Sequence, residues 1–469
     1  MFFFCIVLAY SYLCTRITTL LSKYVMTGNR VIIQNATLVN EGHSFRASVL
    51  VENGRIAEIA REKELPVHDG DELVDGSDCL LLPGIIDEHV HMRDPGLTHK
   101  ATMESETRAA ARGGVTTVLD MPNVVPQTTT LQLLKERYAL AEGRCHVNYG
   151  FYLGATNDNI EDIKRLDPTT CPGVKLFMGS STGNMLVDRE EALRNIFRDS
   201  PTLIMTHCED TARINANMAE VKKQYGDDPD VRFHPVVRDQ EACYQSTALA
   251  VRLAKEEGSR LHVAHVTTAK ELELFLPNDE KITAEACVPH LLFTDKDYET
   301  LGSRIKCNPA IKTSEDRDAL RKALSDGRIR TIATDHAPHL LSEKQGGCCK
   351  AMSGMPMVQF SLPAVLGLVD EGILSKEKLV ELMCHNPARL YHIKERGFIR
   401  EGYWADLILV RRKPWTLTTD CIESLCRWSP LEGRTLGWQV ERTWVNGNLV
   451  WDGTSVSQQC EGNRVIFEC

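Results

Sequence analysis

Apolar positions along this chain follow two textures. Residues 31–39, 48–51 and 55–59 alternate apolar and polar side chains around the dipeptide Asn53-Gly54, the pattern of a tight β-hairpin. Residues 405–410, 440–445 and 448–451 repeat it around Asn446-Gly447. Short strands at both ends predict one small β-sandwich assembled from the two. The middle differs. Eight apolar runs, at 81–91, 114–121, 147–154, 173–178, 202–207, 260–266, 281–287 and 330–335, alternate with helical patterns such as 104–112, 131–142, 189–198 and 240–257. This α/β alternation over about 300 residues suits a (β/α)8 TIM barrel, usually roughly 250 residues before insertions. A doubly wound open sheet is the alternative, but no Gly-rich dinucleotide turn follows the first run. The expected boundaries are an apolar extension at 1–25, sandwich at 26–80 and 395–469, and barrel at 81–394. Residues 342–357, rich in Gly, Cys, Lys and Met, read as a surface loop.

Composition narrows the class. Of 469 residues, 43% are hydrophobic and 25% charged, which excludes wholesale disorder. A net charge of −10 argues against a nucleic-acid surface, yet leaves room for a local basic pocket that holds an anionic substrate. Sixteen scattered cysteines without a C-x-x-C cluster read as reduced thiols of a cytosolic enzyme. Residues 2–14 form an uncharged apolar run, short for a bilayer span and without the basic leader of a signal peptide. A weak signal or anchor, an extra folded element and an unused upstream start compete. A non-functional extension before Met26 is the favoured reading, with a cytoplasmic location.

Chemistry gathers at the predicted strand ends. His89 and His91 close the first run, and positions i and i+2 of a strand share a face, so both imidazoles can meet one metal ion. His207 ends the fifth run, His265 lies on the sixth, and Asp335 ends the eighth. A barrel brings its C-terminal strand ends to one face, where these residues would form a binuclear hydrolytic site. Lys175 lies inside the fourth run, where a lysine snorkelling from a strand edge is the bland reading. Reaction with CO₂ would instead turn its amine into a carboxylate able to bridge two metals. His262 is expected on the opposite side of its strand from His265, in the core or behind the ligating residues. His290 and His336 fall near the expected face, where a structural hydrogen bond weighs at least as much as metal ligation, and Glu209 and Asp210 read as caps of the next helix.

With these residues in view, the chain resembles the cyclic amidohydrolases, most closely dihydroorotases of the long bacterial type. The resemblance rests on residues 83–96, Asp120-Met121-Pro122-Asn123, residues 173–179 and Ala333-Thr334-Asp335-His336-Ala337-Pro338-His339. It implies two zinc ions: His89 and His91 on the more buried one, His207 and His265 on the other, and carboxylated Lys175 bridging them. Asp335 would touch the first zinc and serve as acid and base. Arg93, Asn123 and His339 would hold a substrate carboxylate, and Asn308 would contact a pyrimidine ring. The implied reaction is reversible hydrolysis of dihydroorotate to N-carbamoyl-aspartate in pyrimidine biosynthesis, with allantoinase or hydantoinase as runner-up and a metal-free scaffold behind both. The implied partner is a small molecule, with no nucleic acid or membrane and a homodimer left open. Cys348-Cys349 depart from the family pattern, in a stretch expected on the substrate side.

Overall fold

The computed structural model describes residues 30–179 and 185–468; the 1–25 extension and Met26 lie outside them. Eight parallel strand positions form the barrel: β1 (Ile85–Val90), β2 (Val115–Asp120), β3 (Asn148–Phe151, resuming at Leu153–Gly154), β4 (Val174–Phe177), β5 (Ile204–His207), β6 (Leu261–Val263), β7 (Ile282–Cys287) and β8 (Thr331–Ala333). Each pairs in parallel with the next. The ring closes where Val90 bridges His336 and the His91 amide donates to the His336 carbonyl at 2.7 Å.

Alternation divides the side chains of each strand. On β4, Val174 and Leu176 join the apolar layer under the helices, whereas Lys175 and Phe177 face the barrel's interior cavity. The outer layer is supplied by helices such as Met103–Arg112, Leu131–Ala141 and Gln240–Glu257, capped at their N-termini by Thr102, Thr130 and Asp239. At the opposite end from the site, Ile86, Tyr152, Met205 and Tyr391 form a separate apolar floor. The C-terminal tail returns to complete it: Arg464 bridges Tyr149, Phe467 bridges Ile393, and Val465 and Phe467 are buried.

The two chain ends share one mixed sheet, ordered Asn448–Trp451, Thr435–Val445, Leu407–Thr416, Cys79–Pro83, Val31–Asn40, His43–Glu52, Arg55–Arg61, with Glu72–Asp75 also pairing with Val31–Asn40. The ends meet where Leu407–Thr416 runs antiparallel to Cys79–Pro83. Both Asn-Gly turns take the left-handed conformation expected of them, with φ of 54° and 79° at Asn53 and Gly54 and 53° and 80° at Asn446 and Gly447. Their tips touch: a Cβ on Gly54 would lie 2.7 Å from the Asn446 carbonyl oxygen.

The 342–357 stretch is a surface loop only in part: Ser342, Gln345, Gly346, Cys349, Lys350 and Met352 are exposed. Lys344, Cys348, Ala351, Met355 and Met357 are all buried. The buried Lys344 ammonium donates to the carbonyls of Lys306, Met352 and Gly354 at 3.0, 2.6 and 2.7 Å and draws the loop inward. Among the described residues, no helix is long and apolar enough to cross a membrane.

The tail's contribution is measurable. Phe467→Ala should cost about 3 kcal/mol of unfolding free energy, as large-to-small changes in a packed core do, while metal content stays at the parent level because the floor lies below the site. Chemical denaturation together with metal analysis checks both halves of that expectation.

Candidate active site

A cavity of about 340 Å³ opens at the C-terminal end of the strands. All ten residues singled out from the sequence line it: His89, His91, Arg93, Asn123, Lys175, His207, His265, Asn308, Asp335 and His339. Several arrive by irregular backbone. β1 carries an extra residue between Asp87 and Val90, a bulge that leaves Glu88 in the interior beside His262 while both His89 and His91 reach the cavity. Strict alternation fails beyond Val90: Arg93, His265 and Asp335 all have positive φ, at 63°, 38° and 47°. Such conformations are costly for residues with side chains and persist only where the surroundings hold them. His262 accordingly does not point away from the interior. It lies within it, bonded to Thr283 Oγ1 at 2.7 Å, because the backbone turns between it and His265.

One half of the cavity gathers nitrogen and oxygen donors. His89 Nε2 and His91 Nε2 converge on Asp335 Oδ1, at 3.3 and 3.0 Å. Their other nitrogens are held from behind, His89 Nδ1 by Glu285 Oε1 and His91 Nδ1 by Asn123 Oδ1, both at 2.8 Å. Across the cavity, His207 Nδ1 and His265 Nε2 face each other at 2.9 Å. His207 Nε2 rests on Glu209 Oε2 at 3.0 Å, and Arg238 pairs with that carboxylate. Orientation of a ligating imidazole by an outer carboxylate is the usual arrangement around a bound metal. Between the two groups lies Lys175, fully buried, with an Nζ that has no hydrogen-bond partner. An orphaned interior amine amid converging imidazoles fits a group that a bound cation pair would complete; His89, His91 and Asp335 already sit at ligand spacing.

Electrostatics suits this reading. Burial lowers the pKa of His91 to about 4 and pushes His207 and His265 below their ordinary value, so their lone pairs are free near neutrality. Burial likewise lowers Lys175, which favours its uncharged, nucleophilic amine. For Asp335 and Glu285, burial works upward but the adjacent imidazoles outweigh it, and both carboxyls are held below the usual range.

The other half of the cavity is cationic. Arg93 Nε donates to the Pro338 carbonyl at 3.1 Å, and its Nη2 lies 3.0 Å from His339 Nε2. Arg93 is buried, yet forms no ion pair among the described residues. Lys306 also lines this side, and Asn308 Oδ1 meets His234 Nε2 at 3.1 Å. His290 and His336 are structural: His290 meets the Pro309 carbonyl, and His336 pairs with Glu106 at 2.8 Å.

Sequence reasoning missed Glu209, Arg238 and Glu285. Asp210 alone caps the helix Thr211–Tyr225, while Glu209 is buried behind His207. The available signal at Glu285 was an isolated carboxylate within an apolar run, the same oddity that drew attention to Lys175.

The Amidohydrolase family matches residues 80–450. A dihydroorotase from Halobacterium salinarum is 34% identical over 398 residues, covering 83% of this chain and 90% of the relative. An allantoinase from Streptomyces avermitilis is 31% identical over 437 residues, covering 91% and 96%. Among solved structures, an L-hydantoinase (dihydropyrimidinase) from Arthrobacter aurescens superposes with a TM-score of 0.87 at 28% identity, covering 94% of this chain and all of that one.

Glu285 offers a test of the metal-ready half. It holds the His89 ring and also accepts the His265 backbone amide at 2.8 Å, so it ties one imidazole to the backbone that carries another. Glu285→Gln should weaken divalent-cation affinity about 10- to 100-fold, the usual cost of losing such an outer partner. Titration of metal-stripped protein with zinc provides the measurement.

Proposed function

Because this chain belongs to the amidohydrolase family, whose cyclic-amide chemistry it shares, we propose that it is a dihydroorotase. The reaction is the reversible hydrolysis of dihydroorotate to N-carbamoyl-aspartate, a step of pyrimidine biosynthesis. One observation carries the choice of substrate: the buried, unpaired Arg93 guanidinium beside His339, in the same cavity as the imidazole cluster. A buried cation without a counter-ion is costly and calls for an anion in the cavity. Dihydroorotate brings a carboxylate, whereas allantoin and hydantoins are uncharged there. Arg93, Asn123 and His339 grip that carboxylate in this reading, and Asn308 faces the ring.

The proposed cofactor is a pair of zinc ions: His89, His91 and Asp335 would hold one, His207 and His265 the other, and Lys175 as its carbamate would bridge them. Carboxylation needs only the neutral amine: the Nζ lone pair adds to CO₂, one proton is released, and the product is an anionic oxygen ligand. When bound, such a pair supplies Lewis acidity toward the ring carbonyl and makes a nearby water more acidic. Asp335 then has the protein's part in the chemistry. Its carboxylate takes a proton from the attacking water and returns it to the ring nitrogen as the C–N bond breaks, ending ready for the next cycle. Held below the usual carboxylate range, it begins as the required base.

The rest of the reading is a cytoplasmic enzyme acting on a small molecule, without nucleic-acid or membrane partners. Net charge of −10 and unpaired thiols at every described cysteine support it.

Two substitutions separate the halves of the site. Lys175→Ala should lose both metal and turnover, with partial rescue by short carboxylic acids. Arg93→Met should keep the parent's metal content but lower kcat/KM for dihydroorotate roughly 10- to 150-fold, the loss expected of one charge-assisted contact. Assays of the parent with dihydroorotate, allantoin and dihydrouracil decide the substrate. Preference for allantoin, or an Arg93→Met enzyme equal to its parent on dihydroorotate, would transfer the assignment to the allantoinase or hydantoinase branch.

A further inference from the structure

Two buried lysines, Lys344 and Lys306, sit beside each other and are satisfied unequally. An ammonium carries three N–H donors. Lys344 places its three on three carbonyls, one of them the backbone carbonyl of Lys306. Lys306 donates to a single acceptor, the Ala351 carbonyl, and forms no ion pair among the described residues. Two of its donors are therefore left over. Lys306 and Ala351 both line the cavity, so that is where an acceptor for those donors can come from. The local backbone agrees. Lys306 is extended, with φ −68° and ψ 116°, and alternate positions of an extended segment share a side. Asn308, two residues on, lines the same cavity, while Cys307 between them turns its thiol to the Pro309 carbonyl. Burial lowers the Lys306 ammonium to about 8, which leaves it charged near neutrality.

Cyclic ureides, dihydroorotate among them, carry a carbonyl on each side of the ring nitrogen that departs. One belongs to the amide that is cut. The other stands between the two ring nitrogens and survives as the ureido carbonyl of the product. As the C–N bond breaks, its electron pair moves onto the departing nitrogen and is shared with that second carbonyl oxygen, until Asp335 delivers the proton to the nitrogen. A cation with spare donors at this oxygen stabilises the transition state more than the ground state, because the oxygen gains charge only as the bond breaks. We propose that Lys306 is a catalytic residue of this kind: its free N–H groups bind the carbonyl oxygen beside the departing nitrogen and draw charge away from that nitrogen. The proposal deepens the functional reading above and rests on it for the substrate class. It divides the cationic half by task, with Arg93 answering the carboxylate and Lys306 the ring.

The test pairs a change in the residue with a change in the oxygen. The zinc-loaded parent, Lys306→Met and Lys306→Gln are assayed for ring opening of dihydroorotate and of its 2-thio analogue, in which sulfur, a weak acceptor, replaces the oxygen in question. Lys306→Met should lower kcat on dihydroorotate about 100-fold, the loss of one donor at a developing charge, with KM changed far less. Lys306→Gln, which keeps a neutral donor, should fall between. On the thio analogue the parent and Lys306→Met should differ by a clearly smaller factor, because the contact is already weakened from the substrate side. A merely structural lysine would slow both substrates alike. Zinc content should stay at the parent's level throughout, since the Lys306 backbone carbonyl that holds Lys344 remains in every variant. The proposal is overturned if Lys306→Met slows both substrates by the same factor, or if it keeps the parent's kcat on dihydroorotate. Should the parent prefer allantoin or dihydrouracil, the dihydroorotase reading falls, and the same comparison on that substrate and its thio analogue decides the role of Lys306. A parent that opens none of these rings overturns both.

Discussion

Everything at the site depends on closure of the strand ring between its first and last members. The bridge from Val90 to His336 and the His91 amide bond bring the end of β1 against the end of β8. Only then do His89 and His91 reach Asp335, which lies far along the chain. Two buried polar contacts reinforce the seam. Thr334 Oγ1 donates to Asp87 at 2.6 Å, and His336, held by Glu106, accepts the Met357 amide through its other ring nitrogen at 3.0 Å. Each lies among groups that would be expensive to leave unpaired, so register at the seam is strongly specified.

The cavity then solves two electrostatic problems differently. In the metal-ready half, burial keeps imidazoles neutral, and carboxylates behind them fix the direction of each lone pair. In the cationic half, Arg93 is buried without a matching anion and rests on a carbonyl, and behind it Lys344 is held by three carbonyls. Carbonyl oxygens steady a cation without cancelling its charge. The first half is thus arranged to receive cations and the second to receive an anion, within one cavity and on one side of the barrel.

The halves also differ in what carries them. Histidines of the first half stand at or just past strand ends and inherit the barrel's rigidity. The second half is built on segments leaving the strands, and the inward-drawn stretch around Lys344 supplies its far wall. A rigid reaction centre beside a loop-built grip is how one barrel supports several related substrates. Relatives named for dihydroorotate, allantoin and hydantoin chemistry share this chain's family or fold.

The amino-acid sequence by itself determined the alternation of strands and helices, the sheet shared by both ends, and six of the residues that line the cavity: His89, His91, Lys175, His207, His265 and Asp335. Those features are local: period-two patterning, Asn-Gly turns whose φ values match the turn type, and polar side chains at the ends of apolar runs. The tertiary structure alone decided how the residues are held. Positive φ at Arg93, His265 and Asp335 cannot be read from residue type, because none is a glycine and each is imposed by its surroundings. Strand alternation therefore put His262 on the wrong side of its strand, although it is buried as expected. The roles of Glu209 and Glu285 as supports for imidazoles depend on neighbours brought near by barrel closure. The same holds for the inward turn of 342–357, since the Lys344 ammonium reaches the distant Lys306 carbonyl as well as two of its own stretch. Periodicity is a property of the chain, whereas the pairing of buried charge is a property of the closed barrel.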